Sequence, residues 1–102
     1  MDILRGYGYP VQRGGSLSFG EAPDLTGLPG VHIECKRVEQ LNLCAALRQA
    51  YQDAQYFEDG LPAVFHRRSR EGWVVSMGLT DWMQLYQAAK PEAIRDCRKE
   101  PP

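Results

Sequence analysis

The stretch from Val31 to Lys36 constrains the fold of this chain most, because apolar and polar residues alternate along it. A β-strand sends successive side chains to opposite faces of a sheet, so one face of this strand can enter a core. The core-facing residues are then Val31, Ile33 and Cys35. The other face carries three residues of different chemistry, His32, Glu34 and Lys36.

A second acid, Asp24, lies one turn upstream of this strand. Residues 27–30 read Gly-Leu-Pro-Gly, and glycine and proline favour a tight turn. We therefore expect Asp24 to fold back beside Glu34, next to the ammonium group of Lys36. Two carboxylates at such a distance are unfavourable unless a divalent cation binds them, and carboxylate oxygens suit a hard cation. The pattern predicts a metal site.

Hydrophobic periodicity predicts the first and middle elements of the chain. Residues 1–9 are typical of the end of a helix followed by glycine, and residues 10–13 of an edge strand that starts at proline. Residues 14–22 are rich in glycine and serine and predict a mobile loop. A longer helix should begin after Asn42 as its cap and end near Tyr56. Its apolar stripe comprises Leu43, Leu47, Ala50, Tyr51 and Ala54.

The second half predicts a β-hairpin followed by a helix. Residues 61–66 and 73–77 are typical of antiparallel strands joined by a polar turn over residues 67–72. The last helix should start near Thr80 and end at Lys90-Pro91. Its apolar face would comprise Trp82, Leu85, Tyr86 and Ala89. For Trp73, Trp82 and Tyr86 we predict core or dimer-interface positions.

Length and composition indicate one small domain. The 102 residues divide into a domain over residues 1–90 and a charged, flexible tail over residues 91–102. No apolar run approaches the ~20 residues of a membrane span, and a signal-peptide pattern is missing, so we predict a cytoplasmic protein. The three cysteines, Cys35, Cys44 and Cys97, lack paired spacing and predict free thiols rather than a zinc site.

Charge is distributed unevenly although the formal net charge is only −1. That value argues against a protein that coats DNA by bulk attraction, but a local basic surface is still possible. The basic residues concentrate near the predicted site and the hairpin: Arg13, Lys36, Arg37, Arg67, Arg68 and Arg70.

An ordered series of short motifs resembles the Holliday junction resolvase branch of the PD-(D/E)xK nucleases, in particular its phage and bacterial members. The resemblance extends from about residue 3 to residue 89. The motifs are Arg13-Gly14-Gly15-Ser16, Asp24 with Gly27-Leu28-Pro29-Gly30, Ile33-Glu34-Cys35-Lys36-Arg37, Pro62-Ala63-Val64-Phe65-His66-Arg67-Arg68 and Trp73-Val74-Val75.

The resemblance implies an α/β fold of restriction-endonuclease-like type, a mixed β-sheet flanked by helices. It also implies hydrolysis of phosphodiester bonds in four-way DNA junctions by a homodimer, in a bacterial or phage-infected cell. Asp24 and Glu34, with the backbone carbonyl of Cys35, would bind Mg²⁺, for which Mn²⁺ could substitute. Lys36 would orient the attacking water or stabilise transition-state charge.

Further residues acquire candidate roles from the same resemblance. Related resolvases carry a serine that contacts the scissile phosphate, to which either Ser16 or Ser18 could correspond. Gln49 falls where many of these nucleases place a glutamine near the water or phosphate, although a surface position explains it equally well. For His32 we predict packing or substrate contact, because hard Mg²⁺ prefers oxygen ligands. The candidate DNA-binding residues are Arg13, Ser16, Ser18, Arg37, His66, Arg67 and Arg68.

One departure from the family leaves three hypotheses open. Related resolvases bear a metal-binding glutamate on their first helix, and this chain begins after the corresponding place, so that helix is expected to be truncated. Asp2 is the nearby acid but lies closer to the helix end than the family residue. Either the true start lies upstream, or the protein acts with fewer ligands, or it has become a binding protein. The three hypotheses for function are a junction resolvase, a nuclease acting on other branched or linear phage DNA, and a catalytically impaired DNA-binding or assembly module.

Overall fold

A computed structural model describes residues 2–13 and 24–89 of the chain. The predicted loop over residues 14–22, with Ser16 and Ser18, lies outside the described residues. So do the predicted tail over residues 91–102 and Cys97.

The described residues form three helices and five strands. In chain order they are α1 (Asp2–Gly6), β1 (Gln12–Arg13), β2 (Leu25–Thr26), β3 (Val31–Arg37), α2 (Leu43–Phe57), β4 (Leu61–Arg67), β5 (Val74–Ser76) and α3 (Leu79–Ala88). The sequence predictions for the helix end, the edge strand, the central strand, the long helix, the hairpin and the last helix are confirmed.

The five strands form one open sheet in the order β1-β2-β3-β4-β5. Neighbouring strands are antiparallel except for β3 and β4, which are parallel and are connected through α2. Parallel neighbours require such a crossover, and a helix is its usual form. The chain therefore has an α/β fold with a mixed sheet and helices, as predicted.

The two faces of β3 pack in different surroundings. Ile33 is fully buried in one apolar cluster with Leu25, Ala63 and Phe65, against which Val31 and Cys35 are packed. The opposite face is covered by α2, where Ala46 and Ala50 pack on Val64. His32 and Glu34 are also buried. The polar face of the predicted strand is thus largely enclosed.

Local sequence explains where α2 begins and ends. The side chain of Asn42 accepts a 3.1 Å hydrogen bond from the N–H of Ala45, as expected of a helix cap. At the other end, Glu58 adopts a left-handed conformation and its N–H bonds to the carbonyl oxygen of Ala54. Leu43, Leu47, Ala50 and Ala54 belong to the inward side, but the prediction for Tyr51 is wrong, because its ring is exposed.

The aromatic predictions for the last elements have different outcomes. Trp73 packs against the apolar cluster around Ile33. Trp82 and Tyr86 stack on each other with ring centroids 5.3 Å apart, but both are exposed, and α3 has no buried residue. A core position for these two rings is therefore wrong, and a dimer-interface position stays a prediction.

Among the described residues, no helix combines the length and the apolar character needed to cross a membrane. Cys35 and Cys44 are free thiols.

Candidate metal and nucleic-acid site

The turn over residues 27–30 returns Asp24 to the central strand, as the sequence predicts. Asp24 immediately precedes β2, and Leu25 pairs with Ile33 of β3. The backbone N–H of Cys35 donates a 2.9 Å hydrogen bond to Oδ2 of Asp24. This bond fixes the Asp24 carboxylate beside β3 near Glu34, and a carboxylate oxygen retains further lone pairs for another partner.

Glu34 is buried in an acidic environment. Burial raises the pKa of Glu34 above its ordinary value of 4.5, and the negative charge of Asp24 raises it further. Asp53 of α2 acts in the same direction, whereas a hydrogen bond with His32 opposes these effects. Desolvation and like charge both disfavour an ionised carboxylate, and a bound cation would relieve both.

His32 occupies the centre of a buried hydrogen-bonded chain. Both carboxylate oxygens of Asp59 lie 2.9 Å from its Nδ1, and Oε2 of Glu34 lies 3.3 Å from its Nε2. The ring also stacks on Phe57, with centroids 6.1 Å apart. His32 therefore packs in the interior, which confirms the packing role and places no part of the ring at the surface.

Helix α2 brings polar residues to the Glu34 side of the sheet. Nε2 of Gln49 donates a 2.9 Å hydrogen bond to Oδ1 of Asp53. A ring nitrogen of His32 and one carboxylate oxygen each from Glu34 and Asp53 lie within 4.8 Å of one another. Gln49 is thus linked to the acidic cluster through Asp53.

Lys36 and Gln49 line one open groove between the end of β3 and the beginning of α2. The groove is also lined by Val38, Gln40, Leu41, Asn42, Ala45 and Ala46. Lys36 follows Glu34 by two residues and therefore lies on the same face of β3. The groove is thus next to the buried polar residues of that face.

The donor chemistry of Asp24 and Glu34 is compatible with the hard cation that the sequence predicts, and Mg²⁺ itself stays a prediction. Asp24 and Glu34 supply carboxylate oxygens, the donor type that Mg²⁺ requires. The Cys35 side chain does not belong to this donor set, because it packs against the apolar cluster around Ile33, on the face of β3 opposite Glu34. Burial and then the charge of Asp24 also raise the pKa of its thiol to about 11. The backbone carbonyl of Cys35 is therefore the candidate ligand.

A basic groove lies at the carboxyl ends of the two parallel strands. Arg37 and Arg67 are register partners there, and with Arg68 they line a pocket that also contains Glu39 and Ser69. The Arg67 guanidinium lies 5.7 Å from the centre of the Trp73 ring. The structure thus brings three of the predicted DNA-binding cations together.

The remaining predicted contacts are more dispersed. Arg13 pairs with Leu25, the residue after Asp24, and is exposed at the edge of the sheet. His66 is the register partner of Lys36, and its Nε2 lies 2.9 Å from Oγ of Ser76 on β5. Ser16 and Ser18 lie outside the described residues.

Two acids of this site were missed by sequence reasoning, Asp53 and Asp59. Asp53 follows Gln49 by four residues, so the two share one face of α2, and the spacing from Gln49 was the signal that could have identified Asp53. Asp59 lies in the loop after α2, 27 residues from His32, and only the crossover brings the two together. Sequence spacing carried no signal for that contact.

Comparison with known proteins finds no matching family model, no matching curated protein and no matching solved structure.

Proposed function

We propose that this chain is a Mg²⁺-dependent, structure-selective DNA endonuclease that resolves four-way junctions, with a restriction-endonuclease-like fold and a homodimeric assembly. The observation that supports it most is the 2.9 Å hydrogen bond by which the N–H of Cys35 holds Asp24 on the strand that carries Glu34 and Lys36. That bond joins the acid before the turn to the Glu-x-Lys strand. The series of sequence motifs that resembles the resolvases supports the substrate class.

The proposal assigns each residue a distinct task. Asp24, Glu34 and the Cys35 carbonyl would hold the ion, which supplies electrostatic stabilisation of the phosphoryl oxygens and a nucleophile at neutral pH. Lys36, from the groove shared with Gln49, donates to a phosphate oxygen or to the attacking water. Gln49 accepts or donates at the same water while its amide holds Asp53.

The basic groove of Arg37, Arg67 and Arg68 would position the DNA without reading its sequence. Phosphate contacts of this kind fix the register of a protein on its substrate. A four-way junction needs two symmetric cuts, and a two-fold dimer supplies two sites at a fixed separation. Structure selectivity then follows from the spacing of the two sites.

Strand cleavage of a labelled immobile four-way junction, compared with a linear duplex of the same sequence, tests the proposal. With Mg²⁺ or Mn²⁺ we expect paired symmetric cuts in the junction, abolished in Glu34→Ala and retained in Glu71→Ala, which removes an exposed acid from the β4–β5 turn. Equal cleavage rates for the duplex and the junction would indicate a nuclease that acts on other DNA. Junction binding without cuts would identify a binding module instead.

A further inference from the structure

Each ring nitrogen of the buried His32 faces a carboxylate. Asp59 places both carboxylate oxygens 2.9 Å from Nδ1, so that nitrogen carries a proton and donates it. In the neutral ring, Nε2 then presents a lone pair. The atom facing it at 3.3 Å is Oε2 of Glu34, which presents lone pairs when it is ionised. A separation of 3.3 Å suits the hydrogen bond between these two atoms and also suits two ligands of one cation.

The geometry around Nε2 is that of a metal ligand held by a carboxylate. Histidines that bind metals usually donate the other ring N–H to a carboxylate, which fixes the tautomer and the ring orientation. Asp59 makes this contact, and Phe57 stacks on the ring. The ring is fully buried and therefore cannot turn to another partner in solvent.

The remaining donors come from two different elements. Glu34 lies on β3, and Asp53 is brought from α2. One donor atom from each of the three residues lies within 4.8 Å of the other two. Gln49 bonds to Oδ1 of Asp53, and the second oxygen of that carboxylate is left for a ligand.

We propose that His32, Glu34 and Asp53 form a mixed nitrogen and oxygen site for a divalent transition-metal ion such as Mn²⁺, with Asp59 as the positioning residue for the His32 imidazole. Imidazole is a ligand of first-row transition-metal ions, whereas Mg²⁺ takes oxygen ligands; carboxylate oxygens suit Mn²⁺, so this mixed donor set can bind it. The inference rests on the proposed function, because Glu34 belongs to both donor sets. It predicts that the chain selects Mn²⁺ over Mg²⁺ in the absence of DNA.

Spectroscopy of bound Mn²⁺ tests this without DNA and without activity. The full sequence contains two histidines, His32 and His66, so the variant His66→Gln leaves His32 as the source of any imidazole signal. Mn²⁺ bound to this variant should show electron spin echo modulation from a ¹⁴N nucleus. Growth on [¹⁵N]histidine should replace that modulation by the ¹⁵N pattern. This measurement needs no change at the buried ring.

Affinity measurements then separate ligand from positioning residue. We expect His32→Gln to lose the nitrogen modulation, and Asp59→Asn to weaken Mn²⁺ binding by roughly 10- to 100-fold while the modulation persists. Mn²⁺ that binds without nitrogen modulation, or that does not bind at all, would overturn the inference.

The outcomes also distinguish this inference from the proposed nuclease. Junction cleavage by a protein whose Mn²⁺ shows oxygen ligands alone would retain the nuclease and reject the His32 site. Nitrogen-bound Mn²⁺ in a protein that does not cleave DNA would retain the His32 site and reject the nuclease.

Discussion

Oδ2 of Asp24 accepts a 2.9 Å hydrogen bond from the backbone N–H of Cys35, and this contact ties the residue before β2 to strand β3 beside Glu34. The acid has two separable properties, its acceptor oxygen and its charge. Substitutions that remove one or both should therefore have different effects on stability and on activity.

We predict that Asp24→Asn and Asp24→Ala both lower junction cleavage by at least about two orders of magnitude, because Asp24 is a proposed metal ligand and a catalytic metal contributes several kcal/mol to the reaction. Only the alanine variant should also lose stability, by about 1–3 kcal/mol, since it leaves the Cys35 N–H without its partner. Urea unfolding measures the second effect. Equal destabilisation by both variants would contradict the role of the hydrogen bond.

Lys36→Ala should reduce cleavage by about 10²–10³-fold, the effect of removing one donor that stabilises transition-state charge. Folding and most of the junction affinity should persist, because Lys36 is one of several cations that would face phosphates. The matched control is Arg48→Ala, which removes an exposed cation from the outer side of α2. Single-turnover cleavage with equal rates for both variants would refute the assignment of Lys36.

The pKa of Glu34 predicts how the metal-free protein responds to pH. A raised pKa in the folded state means that the folded protein binds more protons than the unfolded chain above pH 4.5. Stability must then fall as pH rises through the interval between 4.5 and the folded pKa, and the loss persists at higher pH. Below that interval Glu34 is protonated in both the folded and the unfolded protein, and its destabilising effect vanishes.

Glu34→Gln should accordingly raise the melting temperature of the metal-free protein at pH 7, and the difference from wild type should shrink toward pH 4. Each 1 kcal/mol in the free energy of unfolding shifts the melting temperature by ~4–8 °C in a domain of this size. Calorimetry in the presence of a chelator measures the melting temperatures of both proteins across this pH range. A melting-temperature difference that stays constant from pH 4 to pH 8 would exclude Glu34 titration as its cause.

Local patterns in the sequence were sufficient for the strands and helices, because each element has its own periodicity and its own terminating residues. The alternation along β3 also predicted which side chains share a face. The pairing of Asp24 with that strand followed from Gly27–Gly30, since a short turn leaves the chain few directions.

The enclosure of His32 and Glu34 could not be predicted in the same way. It depends on α2 crossing over that face of the sheet and on Asp59 returning in the loop that follows, and both are tertiary contacts between distant residues. Tyr51 illustrates the same limit. Its position fits a helical stripe, but the inward side of α2 is centred on Ala46, Ala50 and Ala54.

Gly60 holds the start of β4 against the turn before β3. Its φ is +139°, and a Cβ added there would lie 2.3 Å from the carbonyl carbon of Gly30. The adjacent N–H of Leu61 donates a 2.9 Å hydrogen bond to the oxygen of Gly30. Gly60→Ala should therefore force the parallel strands apart at this end.

We predict that Gly60→Ala destabilises the protein by several kcal/mol, because the new methyl group meets backbone that cannot move independently. Gly72→Ala is the control, since its added Cβ would meet nothing within 4 Å. Denaturant unfolding of the two variants compares them. Similar midpoints would show that the contact between Gly60 and Gly30 is not required for the strand pairing.

Arg37 and Arg67 should contribute to junction affinity through counterion release, because they lie side by side in the basic groove. Each cation that neutralises a phosphate adds about 0.9 to the slope of log affinity against log salt concentration. The double variant Arg37→Gln/Arg67→Gln should therefore lower the slope by about 1.8, with Arg48→Gln as the control. An unchanged slope in the double variant, measured by fluorescence anisotropy with a labelled junction, would show that the DNA binds another surface.

The double variant should also bind the junction and the linear duplex more weakly in equal proportion. Phosphate contacts contribute affinity, whereas the preference for a junction would depend on the geometry of the paired sites.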